Sequence, residues 1–215
     1  MSLQHVPAEP EKACRLCPRL AEFLDEQRAA HPDWHNGPVR SFGPETARVL
    51  IVGLAPGMKG ANRTGRPFTG DWAGDLLYGT LDKFGFSRGT FAARPDDGLE
   101  LIDCMVTNAV RCLPPQNKPV GAEIRTCNQH LVQRIAALPN LQVLLALGRI
   151  AHDATLMALG EKRSSHAFAH AAQHTFDGLT LFDSYHCSRY NTNTRRLTPE
   201  MFEQVFSNMR SFLDS

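Results

Sequence analysis

Residues 48–57 have the sequence RVLIVGLAPG, in which a short apolar run leads directly into a loop that contains glycine and proline. Runs of similar composition, rich in Val, Leu and Ile, occur at 102–109, 142–148 and 180–185. Apolar runs without strict alternation are typical of strands that helices cover on both faces. The sequence therefore predicts parallel strands at 48–53, 102–109, 142–148 and 180–185.

Helical segments are predicted between these strands. Residues 123–138 carry apolar side chains at helical spacing, and residues 150–159 follow the third strand directly. Near the end of the chain, Thr198 and Pro199 fit the N-cap and first position of a closing helix. Alternating strands and helices predict an α/β fold, namely a three-layer α/β/α domain with a central four-stranded parallel sheet.

Length and composition are those of one enzyme-sized domain. With 215 residues, 42% of them hydrophobic, the chain is expected to bury a single core as one domain, 1–215. The net charge of +1 is too small to indicate nucleic-acid binding by the whole molecule, so phosphate contacts need a local basic face. The first ten residues lack the pattern of a leader, and no stretch is long enough to span a membrane. We expect a cytoplasmic, monomeric protein.

Three of the predicted strands end in segments with flexible or reactive residues. These segments are Gly53-Leu54-Ala55-Pro56-Gly57 after the first strand, Asn108 at the end of the second, and His186-Cys187-Ser188-Arg189 after the fourth. Because ligands of parallel α/β sheets bind at the carboxyl ends of the strands, the three segments are predicted to line one crevice. Residues 88–98, in contrast, are predicted to form an ordinary exposed loop.

A long glycine-rich stretch, GANRTGRPFTGD at 60–71, follows the first of these loops. Glycine lets the backbone approach a ligand closely, and free backbone amides can face an anion. The glycine spacing matches neither a P-loop nor a dinucleotide-binding motif. Taken alone, the stretch fits a binding loop and also a connection that holds no ligand.

Four of the six cysteines have the distribution of metal ligands. Cys14 and Cys17 form a CxxC pair at the start of a helix, while Cys112 and Cys127 lie in an Arg- and Pro-rich loop and in the helix after it. Thiols stay reduced in the cytoplasm, which favours ligation or packing over disulfides. The spacing leaves open an iron–sulfur cluster, a zinc ion, or simple core burial of Cys112 and Cys127.

Four motifs follow one another along the chain. They are Gly53-Leu54-Ala55-Pro56-Gly57, GRPFTGD at 65–71, TNAVRCLPP at 107–115 and HCSRYNTNT at 186–194. In this combination and order, the chain resembles the type B, or family 5, uracil-DNA glycosylases over nearly its whole length.

The resemblance implies a DNA-repair glycosylase that hydrolyses the N-glycosidic bond of uracil and other deaminated or modified bases in double-stranded DNA, leaving an abasic site. It also implies a [4Fe–4S] cluster away from the reaction centre. Cys14, Cys17, Cys112 and Cys127 fall at the family's ligand positions, so the resemblance favours iron–sulfur over zinc.

The chain departs from the related families at three places. Leu54 and Ala55 are apolar where related families place a carboxylate, which agrees with type B but removes the obvious water-activating acid. The last motif begins with His186-Cys187-Ser188 where the family usually has His-Pro-Ser, and Arg195 stands where the family tends to have glycine. The last two departures lie in the loop that follows the fourth predicted strand.

A glycosylase must flip a nucleotide out of the duplex and hold the base by stacking and by its edge. Phe68 is the predicted stacking residue, although a plain core role is the alternative. Asn108 can offer both an acceptor and donors to the base edge, although it could simply cap the strand end.

Cleavage leaves negative charge on the base and positive charge on the sugar. His186 is predicted to donate to the departing base, and Asp71 to position water or face the sugar cation. Asp71 fits equally well as the N-cap of a helix that begins at Trp72, whose side chain is predicted to face the core. The other predicted substrate contacts are Gly53, Leu54, Ala55, Pro56, Gly57, Ser188 and Arg189.

A protein of another class is the alternative: a non-catalytic iron–sulfur or zinc protein that binds nucleic acid through the same basic loops. The missing carboxylate in the first motif and the altered His186-Cys187-Ser188 are the features that favour it. Only a glycosylase would leave an abasic site that alkali cleaves.

Overall fold

The computed structural model describes residues 6–215. The prediction that the first ten residues are not a leader falls partly on residues 1–5, which lie outside the described residues. The helices are α1 (Pro18–Ala30), α2 (Ala61–Thr64), α3 (Trp72–Lys83), α4 (Gly121–Ala136), α5 (Arg149–Leu159), α6 (Arg189–Asn193) and α7 (Pro199–Leu213). The strands are β1 (Val49–Gly53), β2 (Ser87–Arg88), β3 (Glu100–Leu101), β4 (Cys104–Asn108), β5 (Val143–Leu147), β6 (Gln173–Phe176) and β7 (Leu179–Ser184).

The main sheet has the strand order β4-β1-β5-β7-β6. Its first four strands run parallel and confirm the four predicted strands, with ends that differ by two residues at most. The predicted strand number is wrong by one, because β6 adds an antiparallel edge in which Gln173 lies opposite Phe182. The QHTF sequence of β6 has no apolar run, since an edge strand of alternating exposed and half-buried residues does not need one.

Helices cover both faces of the sheet, which confirms the three-layer α/β/α architecture. Val49 and Ile51 of β1 belong to a core shared with α3 and α7. Leu50 and Val52, which point to the opposite face, belong to a second core shared with α4 and α5. A third and smaller cluster joins Leu20 of α1 to the segment after β4 and to α4. In the part of the chain that is described, no helix has the length and apolarity to cross a membrane.

The loop at 88–98 is less exposed than predicted, most clearly at Asp97, and Phe91 packs against the core. The short antiparallel pair β2 and β3 closes its base. The Asp97 side chain has no exposed surface and forms an ion pair with the buried Arg66. The prediction of an ordinary exposed loop is therefore wrong for Asp97, whose ionic partner lies in the glycine-rich stretch.

Candidate active site

A cleft of about 560 Å³ opens at the edge of the sheet where the four parallel strands end. It brings together nine residues that the sequence predicts as site residues: Leu54, Ala55, Gly57, Phe68, Asp71, Asn108, His186, Ser188 and Arg189. Gly53 and Pro56 are buried and do not line it. Gly53 instead supports the wall, because a Cβ there would lie 2.5 Å from both the Phe68 ring and the Asn108 amide oxygen.

Phe68 forms one wall of the cleft and is only 6% exposed. Its ring stacks on the His186 imidazole, with the centroids 5.9 Å apart and the planes 27° from parallel. Its backbone has a φ of +52°, a left-handed conformation that costs a residue with a Cβ roughly 1 to 2 kcal/mol. Its carbonyl oxygen lies against Gly74, where a Cβ would overlap it. Surrounding contacts therefore have to hold the ring in place.

Asn108 is the last residue of β4 and is 3% exposed. Its Oδ1 atom has no hydrogen-bond partner among the described residues. A buried amide oxygen without a partner costs roughly 1 to 3 kcal/mol, which a ligand with a suitable donor can recover. The amide lines the cleft beside Phe68, so it is available to the edge of a planar ligand.

His186 follows β7, is half-buried, and presents its imidazole to the cleft. Burial lowers the pKa of the imidazole to about 4, so the ring is neutral at pH 7. Its carbonyl accepts a hydrogen bond of 2.8 Å from the side-chain Nδ2 of Asn191, which fixes the backbone of the loop. Cys187, where the family usually has proline, is buried with its thiol 3.5 Å from the Ala73 carbonyl, so the loop packs against α3.

Asp71 is the N-cap of α3, and one carboxylate oxygen accepts from the Gly74 amide at 3.3 Å. The other oxygen faces the first motif, where a Cβ on Gly57 would lie 3.1 Å from it. Burial raises the pKa of this carboxyl group, although hydrogen bonds from backbone amides oppose that shift. The capping role predicted for Asp71 is confirmed, and the same carboxylate also lines the cleft.

The rim of the cleft contains the last motif and the first residue of α3. Ser188 caps α6 by accepting from the Asn191 amide at 3.4 Å, and Arg189 is exposed beside it. The prediction that Trp72 faces the core is wrong: its side chain is 51% exposed. The indole donates to the Thr192 hydroxyl at 3.1 Å, and the Arg189 guanidinium lies 5.7 Å from the ring centroid.

Several lining residues were not predicted. They are Ala61, Trp72, Ala73, Asn117, Leu147, Gly148, Arg149, Ile150, Phe168, Tyr185 and Asn191. Gly148 and Arg149 follow β5, so the rule that sites lie at strand ends would have found them. Phe168 comes from an irregular segment after α5, and no local pattern marks it. Its ring lies 5.5 Å from that of His152, which is buried and donates to Asp183.

Cys14, Cys17, Cys112 and Cys127 line one separate cavity. Cys17 is the residue before α1, and the Arg111 amide donates to the Cys127 sulfur at 3.4 Å. Burial, together with the charge of neighbouring thiolates, raises the pKa of Cys17 to about 11. A cation in the cavity would stabilise the thiolate forms.

The four sulfurs are not packed against one another. In the described part of the chain, the one group of three or more ligand atoms within 4.8 Å of each other is His152, His174 and Asp183. No three of the cysteine sulfurs therefore approach that closely. The His152 and Asp183 side chains are hydrogen-bonded at 2.8 Å, and His174 lies 3.2 Å from the other carboxylate oxygen, so that group is explained by mutual hydrogen bonding.

Sequence comparison with known proteins identifies the family. Residues 40–210 match the family model of the uracil DNA glycosylase superfamily. The chain is 46% identical over 200 residues to a type-5 uracil-DNA glycosylase of Thermus thermophilus, covering 90% of each chain. It is 38% identical over 205 residues to a type-5 uracil-DNA glycosylase of Mycobacterium leprae, covering 90% of this chain and 88% of the relative. A type-4 uracil-DNA glycosylase of Sulfurisphaera tokodaii is 29% identical over 170 residues, covering 76% of this chain and 70% of the relative. The chain belongs to the uracil-DNA glycosylase superfamily.

Proposed function

We propose that this protein is a DNA-repair glycosylase that removes uracil from DNA by hydrolysing the N-glycosidic bond. The observation that carries the proposal is the composition of the cleft. An aromatic ring, a buried amide with an unpaired oxygen, a neutral imidazole and a carboxylate face the same space. The family membership and the names of its relatives support the same activity.

Base recognition falls to Phe68 and Asn108. A base enters the cleft only after it leaves the duplex, and it then needs a stacking surface and partners for its edge. Phe68 supplies the surface, since its ring lies at the cleft wall beside His186. The Asn108 amide can donate to one uracil carbonyl and accept from the ring N–H.

The chemical step falls to His186 and Asp71. When the bond between C1′ and the base nitrogen breaks, its electron pair leaves with the base, and the oxygen of water bonds to C1′. A neutral imidazole can donate to a carbonyl oxygen of the departing base without giving up a proton. The Asp71 carboxylate can orient the water and stabilise the cationic sugar, and the proton released by the water balances the charge of the uracil anion.

We further propose that Cys14, Cys17, Cys112 and Cys127 hold a [4Fe–4S] cluster. All four line one cavity, which fits a shared centre. The resemblance to the family 5 glycosylases favours this cluster over a zinc ion, since the four cysteines fall at the family's ligand positions. The cavity is distinct from the cleft, so the cluster would supply stability to the fold and no step of the hydrolysis.

The substrate is proposed to be double-stranded DNA, and uracil is proposed to be one of several deaminated or modified bases removed. Arg149, Arg189 and Arg196 line the cleft and supply the local basic face that the net charge of +1 does not. Contacts from such side chains to phosphates are independent of sequence. We also propose that the protein acts as a monomer.

The test is incubation with a duplex that contains one uracil, followed by alkali. We expect cleavage of the uracil strand at that position, and none of a matched duplex with thymine paired to adenine. Absence of alkali-labile sites under conditions where the protein binds the duplex would favour a non-catalytic nucleic-acid-binding protein. Iron and sulfide analysis of protein purified without air tests the cluster separately, and one zinc ion per colourless chain would contradict it.

A further inference from the structure

We propose that Arg66 and Asp97 are positioning residues for the Phe68 ring, so that the loop at 88–98 controls how tightly the cleft holds a base. Neither residue lines the cleft. The inference rests on the proposed function, because it assigns a mechanism to the base-recognition half of the same site.

The peptide before Phe68 is held at its carbonyl group. The Pro67 oxygen accepts hydrogen bonds from the Tyr78 hydroxyl at 2.7 Å and from the Thr69 hydroxyl at 3.1 Å. The next carbonyl, that of Phe68 itself, lies against Gly74. The left-handed backbone conformation of Phe68 is strained, so it persists only while contacts with neighbouring residues hold it. These contacts therefore set the direction in which the ring points.

Arg66 fixes the direction of the Thr69 hydroxyl group. The guanidinium Nε–H donates to the Thr69 oxygen at 2.8 Å. A hydroxyl group has a single hydrogen, and with Arg66 as its donor that hydrogen is directed to the Pro67 carbonyl. Arg66 thus acts on the Phe68 backbone through one intervening side chain.

Asp97 in turn fixes Arg66. Its two carboxylate oxygens accept from the two terminal nitrogens of the guanidinium at 2.8 and 2.7 Å. The backbone amides of Ala92 and Leu99 donate to the same carboxylate, which ties the carboxylate to its loop. Arg66 is 5% exposed, and a buried cation that lost this partner would be left uncompensated.

Aromatic rings complete the site around the guanidinium. Its central carbon lies 5.1 Å from the ring centroid of Phe42, 5.6 Å from that of Tyr78 and 5.7 Å from that of Phe91. Tyr78 therefore contacts the cation with its ring and the Pro67 carbonyl with its hydroxyl. Phe91 belongs to the same loop as Asp97, so the loop contacts Arg66 at two points.

The test uses Asp97→Asn, which keeps the shape of the side chain and removes its charge. The readout is inhibition of uracil excision by free uracil, which reports affinity of the base pocket without the rest of the DNA. We expect the inhibition constant to rise about fivefold or more, within the range expected for loss of base stacking. Affinity for an undamaged duplex should stay unchanged. Glu100→Gln, which breaks the exposed ion pair with Arg88, is the matched control and should leave both quantities unchanged.

A double-mutant cycle separates positioning from general destabilisation. In a Phe68→Ala background, Asp97→Asn should change the inhibition constant by less than about twofold, because the ring it positions is gone. Equal effects in both backgrounds would overturn the inference. Tyr78→Phe, which removes only the hydrogen bond to Pro67, provides the same cycle if Asp97→Asn does not fold. If the parent protein excises no uracil, the proposed function itself is wrong. If the parent is active but the effects of Asp97→Asn and Phe68→Ala on the inhibition constant are additive, only the positioning role is contradicted.

Discussion

Phe68, Asn108 and His186 each carry a local cost in the folded chain. Phe68 has a left-handed backbone, and Asn108 has a buried amide oxygen without a hydrogen-bond partner. The imidazole of His186 is kept neutral by burial. Sequence motifs located all three, because each lies at a strand end or in a glycine-rich run. The motifs could not give the protonation state of His186, since its burial comes from residues far apart in the chain, among them Phe68 and Gly148.

Replacing His186 tests the donor role. His186→Ala should slow single-turnover excision of uracil by about 10² to 10³, the usual effect of removing one well-placed donor. Affinity for the uracil duplex should change little, because the arginines proposed to contact the phosphates are retained. A parental rate in the variant would show that another group stabilises the departing base.

The lowered pKa of His186 also predicts a pH effect on stability. The folded-state value of about 4 lies below the ordinary value of about 6.5, so protonation is disfavoured in the folded state. The buried ring therefore costs stability as the pH falls from about 6.5 towards 4, and has no such effect above pH 7. The melting temperature of the parent should drop more between pH 7.5 and 5 than that of His186→Gln. An NMR titration of the imidazole with a midpoint above 6 would contradict the burial argument.

Asp71→Asn separates catalysis from capping. Asparagine caps helices about as well as aspartate but has no charge to orient water or to face a sugar cation. We expect an unchanged melting temperature and a single-turnover rate lower by roughly two orders of magnitude. Thr198→Asn at the start of α7 is the matched cap control and should keep the parental rate. If Asp71→Asn also keeps it, Asp71 is a cap only.

At the scale of elements, the sequence predicted what a local pattern can encode. The four buried strands have apolar runs, and α7 begins at the predicted Pro199 with the Thr198 hydroxyl accepting from the Met201 amide. Strand β6 was missed because edge strands carry polar residues. Trp72 was misplaced because helical spacing does not show that a first-turn side chain lies beyond the sheet, at the rim of the cleft.

The end of α6 yields a prediction on stability. Arg195 follows the C-cap Thr194 with a φ of +56°, a position that favours glycine. Arg195→Gly should raise the free energy of unfolding by about 0.5 to 1 kcal/mol, or the melting temperature by roughly 1 to 4 °C. Arg195→Ala, which removes the same charge but not the strain, is the control. Equal melting temperatures for the two variants would contradict the strain argument.

At the scale of the whole molecule, residues around the cysteine cavity contact both the N-terminal region and the wall of the cleft. Glu9 accepts from the Arg111 guanidinium at 3.1 Å and also pairs with Arg134 at 2.9 Å. Ala55 of the first motif packs against the same small core as Cys17 and Cys112. Only the family resemblance assigned these four cysteines to one site. Nearly a hundred residues separate the CxxC pair from Cys112, and no local sequence pattern spans that distance.

Removing one proposed ligand should therefore affect fold and binding together. Cys17→Ala should lose most of its iron, melt about 10 °C lower or more, and bind duplex DNA more weakly, as expected when several kcal/mol of metal-linked folding energy are lost. Cys104→Ala, at a buried cysteine outside the cavity, is the control and should keep its iron. A Cys17→Ala protein with the parental iron content would exclude this cysteine as a ligand.

The close contact between Gly74 and the Phe68 carbonyl constrains how the protein can evolve. Any side chain at Gly74 overlaps that oxygen, and any side chain at Gly53 meets the Phe68 ring from another direction. Two glycines that do not line the cleft therefore limit which substitutions the base pocket can accumulate. In a library of random variants selected for activity, Gly53 and Gly74 should tolerate fewer replacements than the exposed arginines of the rim. We expect a new base specificity to be reached more readily by shortening Phe168 or Tyr185, which also line the cleft, because removing side-chain atoms creates no overlap.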